Sequence, residues 1–220
     1  LNAAAMSLNV VTRRDDLPDG VQATLRNAER HLLHMSDLVR DMFDTAKLEQ
    51  DAFELSITPG VPVHEIIDEI ADEFASHHDV LSLRSVPDRS ITAAIDRDRI
   101  RQVVRNLVSN ATKYRQTNKQ ATIALLLQRV DDNHFEIVVD DTPNGLGMTE
   151  SDLQVLNSGQ PFWRAESAKA IATGSGLGIQ LSRKLVERSG GQLSYESQFG
   201  AGTIATVRLP YVTESGLHNS

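Results

Sequence analysis

The sequence predicts an α+β chain: a helical hairpin that becomes a four-helix bundle on dimerisation, followed by an α/β sandwich with a mixed sheet and helices on one face. Two observations predict it. Apolar residues Val21, Leu25, Ala28, Leu32, Met35, Val39, Met42 and Ala46 recur at alternating steps of four and three, the spacing of a coiled-coil seam. From Asp51 onward, stretches of strand period alternate with stretches of helix period. The expected divisions are 1–50 for the hairpin, 51–212 for the sandwich and 213–220 for a polar tail.

The first helix of the hairpin carries Leu1, Ala5, Leu8 and Val11 on one face, and Asp15, Asp16, Pro18, Asp19 and Gly20 interrupt it. Two helices, the first only about three turns long, make a thin core, so a second copy of the chain is expected to complete the bundle. Packing of the seam onto the rest of the same chain is the alternative. The sandwich begins with a strand at Ala52–Ile57 and a helix at about Val63–Ser76, then short strands near Val80–Arg84 and Ile91–Ile95. A helix from about Asp98 to Tyr114 precedes two stronger strands, Thr122–Gln128 and His134–Asp140. A glycine loop, a helix at Glu150–Leu156 and a long irregular stretch lead to a helix at Leu177–Ser189. The hairpin Gln192–Ser197 with Thr203–Leu209 closes the sheet.

Composition narrows the function classes. Lys plus Arg is 22 against 30 Asp plus Glu, a formal net charge of -8, which repels a phosphate backbone and disfavours nucleic-acid binding. The absence of cysteine excludes disulfides, thiolate metal sites and a cysteine nucleophile. No apolar run approaches the roughly 18 residues that span a bilayer, so no membrane contact is expected here and a cytoplasmic location is, although a parent protein could be anchored. Leu1 opens inside an amphipathic helix, which reads as part of a longer protein.

Three motifs carry chemistry. At about 100° per residue, Asn106, Asn110 and Lys113 fall within about 60° of one another on the 98–114 helix, beside an apolar sector of Ile100, Val103, Val104, Leu107 and Ala111. An amide oxygen is a hard ligand suited to Mg²⁺ and an ammonium attracts phosphate, although asparagines also solvate ordinary helix faces. In FEIVVDDTPNGLGM, the alternation of Phe135, Ile137 and Val139 places Asp141 on the buried side at the strand end. There a carboxylate can accept a hydrogen bond from an exocyclic amine such as that of adenine, while Gly145 and Gly147 let the backbone turn tightly. In TGSGLGIQLSRKLVERSGG, Gly174, Gly176 and Gly178 run into an amphipathic helix, whose unsatisfied N–H groups and dipole make an anion site. The dinucleotide fingerprint would need a preceding strand, and a Gly-Lys-Ser/Thr phosphate loop is absent from the sequence. An ordinary turn and a plain flexible loop remain the alternatives for the last two motifs taken singly.

The chain order of these motifs resembles the sensor histidine kinases of two-component signalling, which share an ATP-binding fold with gyrase, MutL and the heat-shock chaperone ATPases. RQVVRNLVSNATKY is similar to the asparagine box, VVDDTPNGLGM to the first glycine box, PFWRAES to the phenylalanine box and GSGLGIQLSRKLVERSGG to the second glycine box. RHLLHMSDLVRDMFDTAKLE is similar to the second helix of the dimerisation and phosphoacceptor domain. The resemblance implies ATP and Mg²⁺ as ligands, with Asn110 and Asn106 toward the metal and Lys113 and Tyr114 toward the phosphates. It implies Asp141 at the adenine amine with Thr203 near it, and Gly174, Ser175, Gly176, Leu177 and Gly178 around the triphosphate. Phe162–Thr173, with Phe162, Trp163 and Arg164, would be a lid. It also implies a homodimer through the N-terminal helices and a response-regulator receiver domain as phosphoryl acceptor in the relay.

Two departures accompany the resemblance. Asp141 stands four residues before Gly145, where the family sets it two before, with Pro143 and Asn144 inserted. The family's phosphoacceptor histidine lies on the first dimerisation helix and is expected upstream of Leu1. His31 flanks the seam and His34 points to solvent, both on the second helix, and His64, His77, His78, His134 and His218 show no ligand-like spacing. ATP-hydrolysing relatives carry a glutamate one turn before the metal-binding asparagine, and Asn106 stands there instead, an amide that cannot act as general base. The inserted loop keeps a second reading open: a nucleotide-sensing or structural dimerisation module with a degenerate ATP site.

Overall fold

The computed structural model describes residues 54–75, 81–116, 119–158 and 177–211, together with separate positions between 18 and 43. The chain divides into two compact units, Leu1–Phe53 and Glu54–Ser220. In the first, Val21, Leu25, Ala28, Leu32, Met35, Val39 and Met42 are all helical. Of these seam residues Val21, Met35, Val39 and Met42 are exposed. The upstream half of the expected hairpin, Ala46, His31 and His34 lie outside the described residues.

The second unit runs β1 (Thr58–Pro62), α1 (Val63–Ala75), β2 (Leu81–Pro87), β3 (Thr92–Ile95), α2 (Arg97–Lys113), β4 (Ala121–Arg129) and β5 (His134–Asp140). It continues with α3 (Glu150–Asn157), α4 (Leu177–Arg188), β6 (Gln192–Gln198) and β7 (Gly202–Pro210). Five strands form one mixed sheet in the order β2-β4-β5-β7-β6, parallel between β2 and β4 and antiparallel elsewhere. Each hydrophobic pattern explains its element. In α1, Val63, Ile66, Ile67 and Ile70 make one fully buried stripe, and in α2 the stripe is Ile100, Val103, Val104, Leu107, Val108 and Ala111. The helices pack on β4 and β5, and Ile123, Leu125 and Leu127 of β4, Phe135, Ile137 and Val139 of β5, and Val207 and Leu209 of β7 are buried with them in the core. Helices cover one face, as the alternation along those strands requires.

Asp96 caps α2. Its Oδ1 accepts the Arg99 N–H and its Oδ2 the Ser56 N–H, so one buried carboxylate starts the helix and fixes the approach to β1. Along α1 and α2, Arg97, Arg101 and Arg105 pair with Glu69 and Glu73 in a half-exposed ladder. Such pairs contribute at most about 1 kcal/mol each.

One expected strand is corrected. Residues 54–57 are not extended in a sheet, and the first strand is Thr58–Pro62, paired with β3 in a separate two-stranded sheet. The register slips between Thr58 and Val61, where Gly60 has φ 69, so Pro59 and Gly60 form a bulge inside a strand and not the turn that ends one. β2 also runs on to Pro87, beyond the expected Arg84, because its pairing with β4 continues to Leu127. Among the described residues no helix is long and apolar enough to cross a membrane.

Candidate functional site

The site is built from one helix, one strand end and one hairpin. Helix α2 lies against β4, β5 and α4 and presents Asn106 and Asn110 one turn apart on a half-buried face, with exposed Lys113 in its last turn. Asn106 Nδ2 donates to Ser182 Oγ on α4 at 3.0 Å. Its Oδ1 fills the space where Gly178 would carry a Cβ, so any side chain at 178 would collide with it. Asn106 and Gly178 are thus mutually determined, and together with Ser182 they set the spacing of α2 and α4. Tyr114 ends α2: its N–H donates to Asn110 O at 2.9 Å and its carbonyl accepts the Leu146 N–H at 2.7 Å.

Asp141 follows β5 directly and is 5% exposed. Its backbone N–H donates to Thr203 O, and its Oδ1 accepts the Thr203 N–H, so strand β7 holds the residue by both its backbone and one carboxylate oxygen. Oδ2 has no partner among the described residues. Gly145 and Gly202 both touch the carboxylate, and a Cβ at either position would run into it. Burial pushes the Asp141 carboxyl up from the usual 3.8 to about 6, against the Thr203 hydrogen bond and with help from the neighbouring Asp140 charge. A desolvated carboxylate with one oxygen fixed and the other unmatched favours a hydrogen-bond donor.

The insertion of Pro143 and Asn144 gives a well-anchored loop. Asn144 Nδ2 donates to Gln120 O and Thr122 Oγ1, and Thr142 N–H and Oγ1 both donate to Asp140 Oδ1. The Thr142–Pro143 bond is cis. Gln116 Nε2 reaches Pro143 O, Gly145 O and Gly200 O at 3.0, 3.2 and 2.8 Å, tying the loop to the end of α2 and the β6–β7 turn. Gly147 has φ 67 and faces the Gln198 carbonyl so closely that no Cβ fits. Met148 N–H donates to Ser197 Oγ, which also meets Thr203 Oγ1.

The structure therefore brings Asp141, Gly145, Gly147 and Thr203 together, and separately joins Asn106 to Gly178. Leu177 is buried at the start of α4. Gly174, Ser175, Gly176, Phe162, Trp163, Arg164 and the expected lid lie outside the described residues. Ser182, Ser197 and Gln116 had not been expected. Their partners lie between 27 and 84 residues away or across a hairpin, and no periodicity reports such contacts.

A divalent ion fits the Asn110 side chain by chemistry. Its amide oxygen is a hard donor on a half-buried helix face, a ligand suited to Mg²⁺, which takes one or two protein oxygens and completes its shell with phosphate and water. Asn106, its amide nitrogen engaged by Ser182, can offer only Oδ1.

Residues 95–213 match the family described as histidine kinase-, DNA gyrase B- and HSP90-like ATPase. The chain is 36% identical over 181 residues to histidine protein kinase DivJ of Caulobacter vibrioides, covering 80% of this chain and 29% of DivJ. It is 27% identical over 204 residues to sensor histidine kinase WalK of Bacillus subtilis, covering 91% of this chain and 32% of WalK. The chain thus spans less than a third of either relative's length. Full-length ShkA, solved in complex with AMPPNP, superposes with a TM-score of 0.69 at 24% identity, over 88% of this chain and 39% of that one. Acinetobacter baumannii histidine kinase AdeS superposes with a TM-score of 0.66 at 17% identity, over 96% of this chain and 95% of its own. The chain belongs to the histidine kinase-, DNA gyrase B- and HSP90-like ATPase family, and the relatives it is similar to in sequence are histidine kinases.

Proposed function

We propose that this chain is the catalytic core of a sensor histidine kinase, binding Mg²⁺-ATP and passing the γ-phosphoryl to a histidine on a helix of the parent protein that precedes residue 1. The observation that carries the reading is the Asp141 carboxylate, buried at the end of β5 with Oδ1 held by the Thr203 amide and Oδ2 open to an exocyclic amine. Asn110 holds the metal by its amide oxygen, Lys113 faces the phosphates, and the start of α4 supplies N–H groups to the triphosphate. Bound Mg²⁺ supplies neutralisation of the phosphate charge. Asn106 ties α2 to α4 and, being an amide, takes no proton from water, which favours transfer over hydrolysis. A histidine nitrogen forms the new bond to the γ-phosphorus as the bond to the β,γ-bridging oxygen breaks, and ADP leaves.

Of the described seam positions Val21, Met35, Val39 and Met42 are exposed, which supports a homodimer completed by a second copy. The phosphoryl group then passes to an aspartate of a response-regulator receiver domain, in the cytoplasm. Incubation with γ-labelled ATP tests the assignment: the 220-residue chain should bind nucleotide and gain no acid-labile label, whereas the same chain extended through the preceding helix should gain it. Acid-labile phosphohistidine on the 220-residue chain would move the acceptor to His31 or His34.

A further inference from the structure

On the reading that the phosphoryl acceptor is a histidine preceding residue 1, the covalent path from acceptor to nucleotide site enters the second unit at Glu54. Little burial holds this entry: Glu54, Ser56, Ile57, Thr58, Pro59 and Gly60 are exposed, and Leu55 is half-buried. The β1 pairing gives Thr58 one partner, Ile95, before the register slips toward Val61. Upstream of that point the chain is tied by the Ser56 N–H, which donates to Asp96 Oδ2 at 2.8 Å. The same carboxylate, 6% exposed, caps α2 through its Oδ1, which accepts the Arg99 N–H at 3.1 Å.

A carboxylate suits this junction because it has two oxygens for two backbone donors, where an amide has one. Its charge also sits at the positive end of the α2 dipole, which strengthens both bonds. From the cap, α2 runs as one helix to Lys113, so Asn106 and Asn110 lie about 15 and about 21 Å along the same rigid element. One buried carboxylate thus joins the entering chain to the helix that carries the metal and phosphate residues. Without the Ser56 bond the last fixed point retreats to Thr58, or past the bulge to Val61. That lengthens the free connection and widens the range of positions the acceptor samples relative to the nucleotide. We propose that Asp96 is a positioning residue for phosphoryl transfer, holding the entering chain at Ser56 against the start of α2 so that the acceptor histidine meets the γ-phosphoryl in the right place.

The test uses the full parent protein, acceptor helix included, and compares its autophosphorylation rate at saturating Mg²⁺-ATP with its nucleotide affinity from equilibrium titration. Asp96→Asn keeps one oxygen for the α2 cap and loses the second acceptor. Ser56→Pro removes the N–H donor and leaves the carboxylate in place, while Ser56→Ala keeps that N–H. Asp96→Asn and Ser56→Pro should each slow transfer about tenfold with ATP affinity within about twofold of the parent, and Ser56→Ala should match the parent. Because both changes break the same bond, the Asp96→Asn/Ser56→Pro pair should be no slower than the slower single variant. A parental rate in Ser56→Pro overturns the inference and leaves the kinase reading standing. So does an ATP affinity that falls in step with the rate in Asp96→Asn, which marks Asp96 as a helix cap only, or an additive loss in the pair. If Asp96→Asn does not fold, the rate and affinity of Ser56→Pro decide alone. A parent protein that binds nucleotide and gains no phosphohistidine overturns the kinase reading and this inference with it.

Discussion

Replacing Asp141 by Asn separates the cost of the site from its use. The carboxyl is 5% exposed and burial raises it from 3.8 to about 6, which is worth about 3 kcal/mol against ionisation. Because the folded value lies above the unfolded one, the group favours folding below pH 3.8 and loses that advantage as pH rises through about 6. At pH 8 the native protein carries the full cost. Asn keeps an oxygen to accept the Thr203 N–H and removes the charge. Asp141→Asn should therefore be more stable than the parent at pH 8 by up to about 3 kcal/mol, or ~6–12 °C in melting temperature for a unit of this size. The gain should shrink to near zero by pH 4. Nucleotide affinity should move the other way, falling about ten- to a hundredfold, because a charge-assisted hydrogen bond to the amine is lost. Thermal melts at pH 4, 6 and 8, with ATP-analogue titrations at pH 8, measure both. A variant less stable than the parent at pH 8, or a difference that does not change with pH, would refute the reasoning.

The same carboxyl makes ATP affinity of the parent rise between pH 5 and 7 and level off above, a trend that titrations at fixed ionic strength would show and that Asp141→Asn should abolish. Gly178→Ala drives a Cβ into Asn106 Oδ1 and should cost about 1–3 kcal/mol, and Asn106→Ala should recover part of that loss in the double variant, read from denaturant midpoints. Gln116→Ala removes the donor that ties Pro143, Gly145 and Gly200 together; faster amide exchange at Leu146 and Gly200 and about tenfold weaker ATP binding are expected. Chelation of Mg²⁺ should weaken nucleotide binding in the parent and change little in Asn110→Ala, as parallel titrations with and without EDTA would reveal.

How far the sequence discloses these features follows from the range of the interactions behind them. Strand β5 is legible residue for residue, His134 to Asp140, because a strand in the middle of a sheet shows its alternation in Phe135, Ile137 and Val139. That alternation also placed Asp141 on the buried side, where it is found. Helices α1, α2 and α4 were readable to within a residue or two from their apolar stripes. Thr58–Pro62 was missed because Pro59 and Gly60 carry the local signal of a turn, and only pairing with β3, more than 30 residues on, makes them a bulged strand. The separation of β1 and β3 into their own small sheet is likewise a long-range outcome. Within the site, glycines were visible as a type but their partners were not. Nothing in the neighbourhood of Gly178 announces Asn106, and nothing near Ser197 announces Met148 or the Thr203 hydroxyl. Gln116 and Ser182 look like surface residues until the fold delivers their acceptors and donors.

The most direct test of the central claim is calorimetric titration of the full chain with a non-hydrolysable ATP analogue and Mg²⁺, alongside Asn110→Ala and Asp141→Ala. Saturable binding of one nucleotide per chain, lost or weakened at least about tenfold in both variants, is the predicted result. A folded parent chain that binds no nucleotide, or binding indifferent to Asp141→Ala, would contradict it.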